Sequence, residues 1–529
     1  MQYCSVAFLG VFLPLTLLFY CVIPRRKRWL VLLIASYIFF WSLSGKLLIY
    51  LLFSTLSIHH FGLWFDKLYK DRQVAIATED KEEKKLIKKE YDRKAKRIMF
   101  LAVLIHIGLL LYLKYSTFFG MNFNSLFELM GWSFRFKIEK ILIPIGISFY
   151  TLQGLSYIID VYKGKINADS NLGRLALFMA FFPCIMEGPI CRYNDTALDL
   201  YEGKSLEYKN ITFGIQRILW GMMKKMVVAD RINPFVKKIF LDIDKFDGFV
   251  VLMGAIMYTI QLYMDFSGTM DMVIGVAEMF GIKLPENFRQ PFFSKNISDF
   301  WSRWHITLGT WFKDYIFYPV SLSKPMKKVT LVFRKHLGKH FGAVLAGSVA
   351  LFLVWISNGL WHGAAWTYIF FGLYHFCLIV LGNIFTPFIV SLCKKLKINR
   401  QNIVYQVLQI CKTCIFIMFG ELIFRANTLE SAFLGIKKIF ADFNLLSIKN
   451  GAIFNLGLDR HDMLIIAIVC VIVFVISILK ERGIHIREEV AKKQVVVRWS
   501  LYYALILMVI IFGAYGYGYK PVDPLYANF

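Results

Sequence analysis

The stretch DMLIIAIVCVIVFVISIL, residues 462–479, is apolar along almost its whole length and is followed by Lys480. A helix needs about 20 mostly apolar residues to cross the hydrocarbon core of a bilayer, so this run predicts a membrane-spanning helix. Only 19% of the 529 residues are charged, whereas a soluble domain carries about a quarter. The sequence therefore predicts an all-α polytopic membrane protein. Similar runs lie near 5–23, 29–43, 47–65, 98–119, 141–161, 172–190, 211–229, 250–264, 268–281, 343–359, 364–390, 402–424 and 499–518.

The apolar runs together predict about 11 to 13 membrane-embedded helices in a single membrane domain over residues 1–529. Some runs are too short to span alone, and we expect them to be broken or re-entrant where protein covers the backbone. The first 23 residues have no basic start and no evident cleavage site. They predict a retained first helix rather than a signal peptide.

The formal net charge is +26. In a soluble protein this excess would suggest nucleic-acid binding, but here the basic residues lie between apolar runs, where the positive-inside rule and anionic lipids account for them. Three basic loops, 25–28, 66–97 and 163–165, fall on one side if each of the first five helices crosses once. We therefore expect no nucleic-acid partner, a cytoplasmic 66–97 segment and an external N-terminus. The 66–97 segment mixes both charges, which is typical of a solvated or headgroup-bound helix or of a partner-binding helix.

Three histidines lie in apolar surroundings that set them apart. His305 lies in SDFWSRWHITLGTWFKDYIFYPV, residues 298–320, and both His362 and His375 lie in WISNGLWHGAAWTYIFFGLYHF, residues 355–376. The aromatic residues around His305 are typical of either an interfacial belt or an active site. The other seven histidines are interpreted as surface, snorkelling or hydrogen-bonded interior residues.

The residues near His362 suit acyl transfer to a hydroxyl group. A neutral imidazole is a good general base near pH 7. Asn358 precedes His362 by four residues and shares its helix face, while Gly359 and Gly363 allow close approach of backbone or substrate. Asn358, an indole N–H such as that of Trp361, or backbone N–H groups beside Gly363 would stabilise an oxyanion. Neither G-x-S-x-G nor H-E-x-x-H occurs, so a serine-hydrolase or zincin mechanism has no support.

Other stretches place polar groups at membrane depth. QLYMDFSGTMDMVIG, residues 261–275, is interpreted as a broken helix that carries Asp265 and Asp271. FFPCIMEGPICRY, residues 181–193, carries Glu187 between helix-breaking prolines and glycines. Such positions predict either a functional site or an ion-pair staple between helices, here Glu187 with Arg192.

The nine cysteines lie mostly in or beside apolar runs and form neither a disulfide framework nor a zinc-knuckle pattern. Cys411 and Cys414 make a C-x-x-C inside a helical apolar stretch, where packing is the simpler interpretation. The sequence predicts no metal site and no nucleotide-binding fingerprint.

Four motifs together resemble the membrane-bound O-acyltransferase (MBOAT) family, and within it the bacterial alginate O-acetyltransferase branch. They are FFP…GPI, DFSGTMDMVIG, PENFRQPFFSKNISDFWSRWHITLGTWFKDYIFYP and SNGLWHGAAWTYIFFGLYH. The resemblance covers nearly the whole chain. The C-terminal helices over 425–529, which begin near GELIFRANTLESAF, favour this branch over the shorter D-alanine-transferring relatives. Cys184, Met186 and Glu187 depart from the usual FFP…GPI pattern.

The resemblance implies a helical core with a thin centre between a cytoplasmic and an extracellular funnel. It implies that His362 is the family's nearly invariant histidine and that His305 is its second histidine. It also implies a cytoplasmic thioester donor, acetyl-CoA or an acyl carrier, no permanently bound cofactor, and an acceptor met on the outer side. Bacterial relatives commonly use an extracytoplasmic SGNH-type partner to complete transfer to a cell-surface polymer. We therefore expect a multi-pass protein of the bacterial plasma membrane.

His305 and Trp304 are then expected to form the wall of a buried tunnel, with Lys313 and Asp314 orienting charged parts of the donor. Three functions stay open at this stage. The first is an O-acetyltransferase for a surface polysaccharide or peptidoglycan. The second is a D-alanyl transferase fed by an acyl carrier protein. The third is a transporter or export channel without chemistry, which should show two related halves with paired broken segments.

Overall fold

The computed structural model describes residues 1–77, 79–139 and 141–515, and most of them are helical. The prediction of an all-α polytopic membrane protein is confirmed. In the described residues, bridge pairing between extended segments is limited to one antiparallel contact, Phe288 with Trp304. The first ten helices are α1 (Leu13–Val22), α2 (Arg28–Ser44), α3 (Leu48–Ala75), α4 (Lys81–Leu129), α5 (Ile147–Tyr162), α6 (Leu172–Ala180), α7 (Tyr193–Tyr201), α8 (Tyr208–Met222), α9 (Asp230–Leu241) and α10 (Gly248–Met279). The others are α11 (Ile297–Arg303), α12 (Ile306–Phe312), α13 (Tyr318–Ser321), α14 (Lys324–His362), α15 (Trp366–Lys395), α16 (Ile403–Arg425), α17 (Leu429–Ala441), α18 (Leu446–Lys449), α19 (Arg460–Glu481), α20 (Ile486–Ala491) and α21 (Val495–Phe512).

In the described part of the chain, eight helical stretches are long and apolar enough to cross a membrane. One of them, Arg25–Ala75, contains both α2 and α3, which a short turn at Gly45–Leu47 separates. The other apolar runs of the sequence include shorter helices such as α5, whose 16 residues are almost all buried. Helices of this length need protein around them at membrane depth, as expected for embedded segments that do not span alone.

The chain divides into two compact units, residues 1–214 with 273–285, and residues 215–272 with 286–529. The single membrane domain over 1–529 stays a prediction. The second unit contains α17 to α21, which belong to the predicted C-terminal group over 425–529; residues 516–529 of that group lie outside the described residues.

The charged 66–97 segment does not form the single helix that the sequence predicted. It is divided between the end of α3 and the start of α4. Asp80 caps the start of α4, because its carboxylate accepts hydrogen bonds from the backbone N–H groups of Glu82 and Glu83, each at 2.9 Å. Arg72 and Asp92 form an ion pair at 3.3 Å across the hairpin. Capping by Asp80 therefore starts a new helix within the charged segment, although the pattern of charged residues continues through this point.

This hairpin gives a direct test of orientation. We expect Lys84→Cys, near the start of α4, to be protected from an impermeant thiol reagent added outside the cell, because basic segments stay in the cytoplasm. Ser5→Cys should react, since it lies on the opposite side in the predicted topology. The measurement is labelling in intact cells and in opened membranes, against the parent protein with its nine cysteines. The reverse pattern would overturn the orientation.

The helix break predicted in FFPCIMEGPICRY is present, since α6 ends at Ala180 and α7 begins at Tyr193. Side chains satisfy backbone groups of this buried segment. The Tyr3 hydroxyl donates to the carbonyl oxygens of Phe182 and Pro183 at 2.8 and 3.0 Å, and the N–H of Phe182 donates to Ser36 Oγ at 3.0 Å. Non-helical backbone at membrane depth is tolerated because protein groups replace the missing helix bonds.

The predicted break at Ser267–Gly268 is wrong, because α10 runs without interruption from Gly248 to Met279. Gly268 has a different role. A Cβ atom at this position would lie 2.8 Å from the carbonyl oxygen of Gly221, closer than such contacts occur. The glycine therefore allows α10 to pack against the backbone at the end of α8, and it does not interrupt the helix.

Candidate active site

Asn287 holds His305 in a buried position at the start of α12. The ring Nδ1 of His305 lies 3.3 Å from Asn287 Oδ1, which also accepts hydrogen bonds from the backbone N–H and the hydroxyl of Thr307, each at 3.0 Å. Because Asn287 Oδ1 is an acceptor, His305 Nδ1 carries the proton and Nε2 carries the ring's basic lone pair. Burial lowers the pKa of His305 to about 3, so the imidazole is neutral.

A short extended pairing explains how Asn287 reaches His305. The backbone N–H of Arg289 donates to the carbonyl oxygen of Arg303 at 2.9 Å. The backbone N–H of Ile306 donates to the carbonyl oxygen of Asn287 at 3.1 Å. His305 itself has the left-handed backbone conformation, with φ 47° and ψ 52°. A residue with a β-carbon is strained there, and the neighbouring pairing holds it in place.

Trp361 brings His305 and His362 together. The Trp361 ring centroid lies 5.4 Å from that of His305 and 5.0 Å from that of His362. His362 is the last residue of α14 and is 3% exposed, as is His305. Phe424 covers His362 edge-on, at 5.1 Å between ring centroids. One indole thus contacts both of the histidines that the sequence singled out as catalytic.

The glycines near His362 are in contact with the protein's own chain. A Cβ atom at Gly359 would lie 2.5 Å from the carbonyl oxygen of Tyr368, and one at Gly363 would lie 2.4 Å from the Tyr368 ring. These positions therefore allow α14 and α15 to pack closely, and do not leave room for substrate. Asn358 is 7% exposed, and its Oδ1 has no hydrogen-bond partner among the described residues.

A small buried cavity adjoins His362. Aromatic and apolar side chains form most of its wall, and its polar members include His375 and Glu421. His375 is fully buried and Glu421 is 4% exposed. Trp304, a predicted substrate-binding residue, also lines this cavity, whereas Asn358 does not. The lining residues are Leu262, Phe300, Trp301, Trp304, His362, Phe371, His375, Ile417, Glu421 and Phe424.

A much larger cavity, of about 710 Å³, lies along the same three helices. Ile297 and Ser298 of α11 line it one turn before Trp301, and Ile379 of α15 lines it one turn after His375. On α16, Phe416 lines the large cavity and the next residue, Ile417, lines the small one. Successive turns of α11, α15 and α16 therefore connect the wall of the large cavity with that of the small one. Lys295, Arg400 and Lys412 give the large cavity a basic wall.

Three of the predicted site residues do not line either of these two cavities. Lys313 is exposed with its amino group over the Tyr318 ring, and neither Lys313 nor Asp314 is among the described residues that line the two cavities. Glu187 is 1% exposed and belongs to the first unit, whereas both histidines belong to the second.

Asp265 and Asp271 take part in a buried network of ion pairs. Lys225 lies 2.5 Å from Asp265 and 3.1 Å from Asp230, and Lys224 lies 2.6 Å from Asp271. The two lysines are consecutive and belong to a wide π-helical stretch, Met223–Ala229, that follows α8. These contacts account for both carboxylates as structural partners of buried cations. Arg217 extends the network to Asp271 and Glu286, at 3.0 and 2.6 Å.

Sequence reasoning missed two residues of the site. Asn287 lies inside the motif PENFRQPFF, where an amide before a run of aromatic residues was a usable signal. Glu421 is a carboxylate within the apolar helix α16, and an ionisable residue at membrane depth is a functional candidate by default. Within the described ranges, no group of three histidine, cysteine or acidic side chains is placed to hold a metal ion.

A family model described as MBOAT, membrane-bound O-acyltransferase family, matches residues 33–424. The chain is 33% identical to a probable alginate O-acetylase AlgI of Azotobacter vinelandii, over 82% of this chain and 76% of the relative. It is 31% identical to a peptidoglycan O-acetyltransferase of Helicobacter pylori, over 63% of each chain. It is also 35% identical to a teichoic acid D-alanyltransferase of Bacillus subtilis, over 53% of this chain and 68% of the relative. The matched range includes both predicted catalytic histidines.

Proposed function

We infer the reaction from the fact that the chain belongs to the membrane-bound O-acyltransferase family. It is a multi-pass membrane acyltransferase. We propose that it takes an acyl group, most simply acetyl, from a thioester on the cytoplasmic side of a bacterial plasma membrane. The acceptor is a hydroxyl group on the outer side, in a cell-surface polysaccharide or peptidoglycan. The relatives act on cell-surface polymers by their names, which supports this acceptor class.

The observation that carries the proposal is the contact of Trp361 with both His305 and His362. In the proposed step, His362 takes the proton of the acceptor hydroxyl. The oxygen then bonds to the acyl carbon as the C–S bond breaks, and the thiolate leaves with the electron pair of that bond. His305, fixed by Asn287, positions the acyl group, and the indole N–H of Trp361 is the candidate donor to the oxyanion.

The large basic cavity supports a thioester donor with a phosphorylated arm. A coenzyme A molecule and the prosthetic group of an acyl carrier both carry phosphate on a long flexible arm. We propose that Lys295 and Arg400 bind this phosphate, while the arm follows α15 and α16 toward His362. Arginine and lysine are suitable phosphate ligands because their hydrogen bonds are charge-assisted. The aromatic wall then excludes water and protects the thioester from hydrolysis.

A D-alanyl transferase fed by an acyl carrier protein is the second candidate, favoured by the likeness to a teichoic acid D-alanyltransferase. Both candidate functions are compatible with an extracytoplasmic SGNH-type partner that completes the transfer.

The experiment is a transfer assay with membranes that contain the protein, in which radiolabelled acetyl-CoA, acetyl carrier protein and D-alanyl carrier protein are compared. Transfer from a D-alanyl carrier alone would replace the first candidate by the second, and no transfer from any thioester would refute both.

His305→Ala is expected to slow transfer less than His362→Ala, because displacing a substrate by about 1 Å costs up to about 10²-fold. Asn287→Ala should reproduce the His305 defect, since Asn287 Oδ1 fixes the ring Nδ1. Thr307→Val is the matched control, because it removes one hydrogen bond to Asn287 but leaves the contact with His305. The measurement is the transfer rate per inserted protein. A full rate for His305→Ala would remove this residue from the site.

A further inference from the structure

The small cavity beside His362 contains more polar groups than the proposed reaction uses. Both ring nitrogens of His375, Oε2 of Glu421 and the indole nitrogen of Trp301 are buried and have no hydrogen-bond partner among the described residues. Buried polar atoms are hydrogen-bonded in the great majority of cases, to protein or to ordered water. Several such atoms around one cavity therefore indicate a site for a small polar molecule.

The size of the cavity identifies this molecule. Its volume of about 10 Å³ is close to the minimum that holds one water molecule, and a buried water needs two to four polar partners. His375, Glu421 and Trp301 supply enough donors and acceptors for one water, and His362 lines the same space.

His375 is held rigidly at this site. Its ring stacks on Trp355 at 5.4 Å between centroids and meets the edge of Trp301 at 5.0 Å. A Cβ atom at Gly420 would lie 2.7 Å from His375 Nε2, so the ring approaches α16 directly beside Glu421. Phe371 touches His375 at 4.6 Å and His362 at 6.0 Å between ring centroids. The imidazole has little freedom to turn away from the cavity.

The site also lies close to the cavity that we assign to the donor. Ile379, one turn beyond His375 on α15, lines the large cavity that we assign to the donor. His362 also lines the small cavity. A charged carboxylate is unfavourable at this depth, so one proton shared by Glu421 and His375 makes the group neutral overall.

We propose that His375 and Glu421 hold one proton and one water beside His362, and that they return the proton of the acceptor hydroxyl to the departing thiolate. This proposal rests on the proposed function. His362 receives the proton from the hydroxyl and passes it through the water to the His375–Glu421 pair, while the pair gives its own proton to the thiolate. The products are an ester and a free thiol, and every group of the protein regains its starting state. His375 and Glu421 exchange a proton with His362 through the water and give a proton to the thiolate, so they are proton-transfer residues.

The test uses His375→Phe, which keeps an aromatic ring between Trp355 and Trp301, and Glu421→Gln, which keeps the shape of the side chain. Each should lower kcat by at least about tenfold, as for the loss of a proton-transfer group. The KM for the thioester donor should stay within about twofold, since neither residue binds the donor. Ile415→Val, an apolar change on the exposed side of the same helix and outside both cavities, is the matched control and should keep kcat.

A double variant separates a relay from a structural role. In a His362→Ala background, His375→Phe should cause no further loss, because residues that act as a unit are not additive. A merely structural pair would behave differently. Apolar replacement of buried polar groups is often neutral or stabilising, so His375→Phe would then keep kcat and raise the thermal midpoint. Normal kcat in His375→Phe and Glu421→Gln would overturn the proposal.

The outcomes also distinguish this proposal from the proposed function. If His362→Ala still transfers the acyl group at a near-normal rate, the reaction assigned to His362 under the proposed function is refuted. If His362→Ala is inactive while both His375→Phe and Glu421→Gln are fully active, only the relay fails. If His375→Phe does not reach the membrane, comparison of Glu421→Gln with Ile415→Val decides the question alone.

Discussion

Replacement of His362 by alanine is expected to leave a correctly inserted protein whose acyl transfer is slower by about 10²- to 10⁴-fold, the usual loss when a positioned base is removed. His362 ends α14, is 3% exposed and lines the small cavity. Its ring is enclosed by Trp361 and Phe424, so bulk water is poorly placed to replace it as the base. The measurement is polymer acylation in cells, together with the transfer rate in membranes.

The control for this variant is His336→Ala, which changes an exposed histidine in the part of α14 before the kink at Gly338. It should insert and transfer normally, because His336 is exposed and lines neither of the two cavities described above. If His362→Ala retained near-normal acylation at a matched expression level, His362 would be a packing residue and the base would have to be sought elsewhere.

Lys225→Met is expected to destabilise the second unit by about 3–5 kcal/mol, the usual result when one partner of a buried ion pair is removed. Lys225 is 4% exposed and lies within 3.1 Å of both Asp230 and Asp265. Its loss leaves two carboxylates without their cation. Asp265→Asn should lower the free energy of unfolding by less than Lys225→Met does, because Lys225 keeps its ion pair with Asp230. The measurement is the thermal unfolding midpoint of the detergent-purified protein.

Two further variants define this effect. Lys225→Met combined with Asp265→Leu should recover part of the stability, because apolar side chains replace a charged pair at little net cost. Lys245→Met is the matched surface control, since its ion pair with Asp242 is exposed and screened by solvent. An unchanged unfolding midpoint for Lys225→Met would show that the ion pairs of Lys225 contribute nothing to stability.

The helical class and the two histidine segments could be predicted because both depend on local sequence. Apolar run length decides the membrane class, and the tryptophan–histidine pairs are visible as short motifs. Asn287 could not be placed, because its contact with His305 depends on a pairing between two extended segments 18 residues apart. The break assigned to Ser267–Gly268 failed for a related reason. A glycine in a helix marks either a bend or a close neighbour, and the neighbour here is Gly221, 47 positions earlier.

The wide turn at Met223–Ala229 matters for anyone who aligns this chain with its relatives. A π-helical turn holds one more residue than an α-helical turn, because its hydrogen bonds reach five residues back and not four. Lys224 and Lys225 meet Asp271 and Asp265 from within this turn. A relative with an ordinary helix here would be one residue shorter, and an alignment that moves the gap into a neighbouring loop would match each lysine to the wrong position. The gap belongs inside the helix.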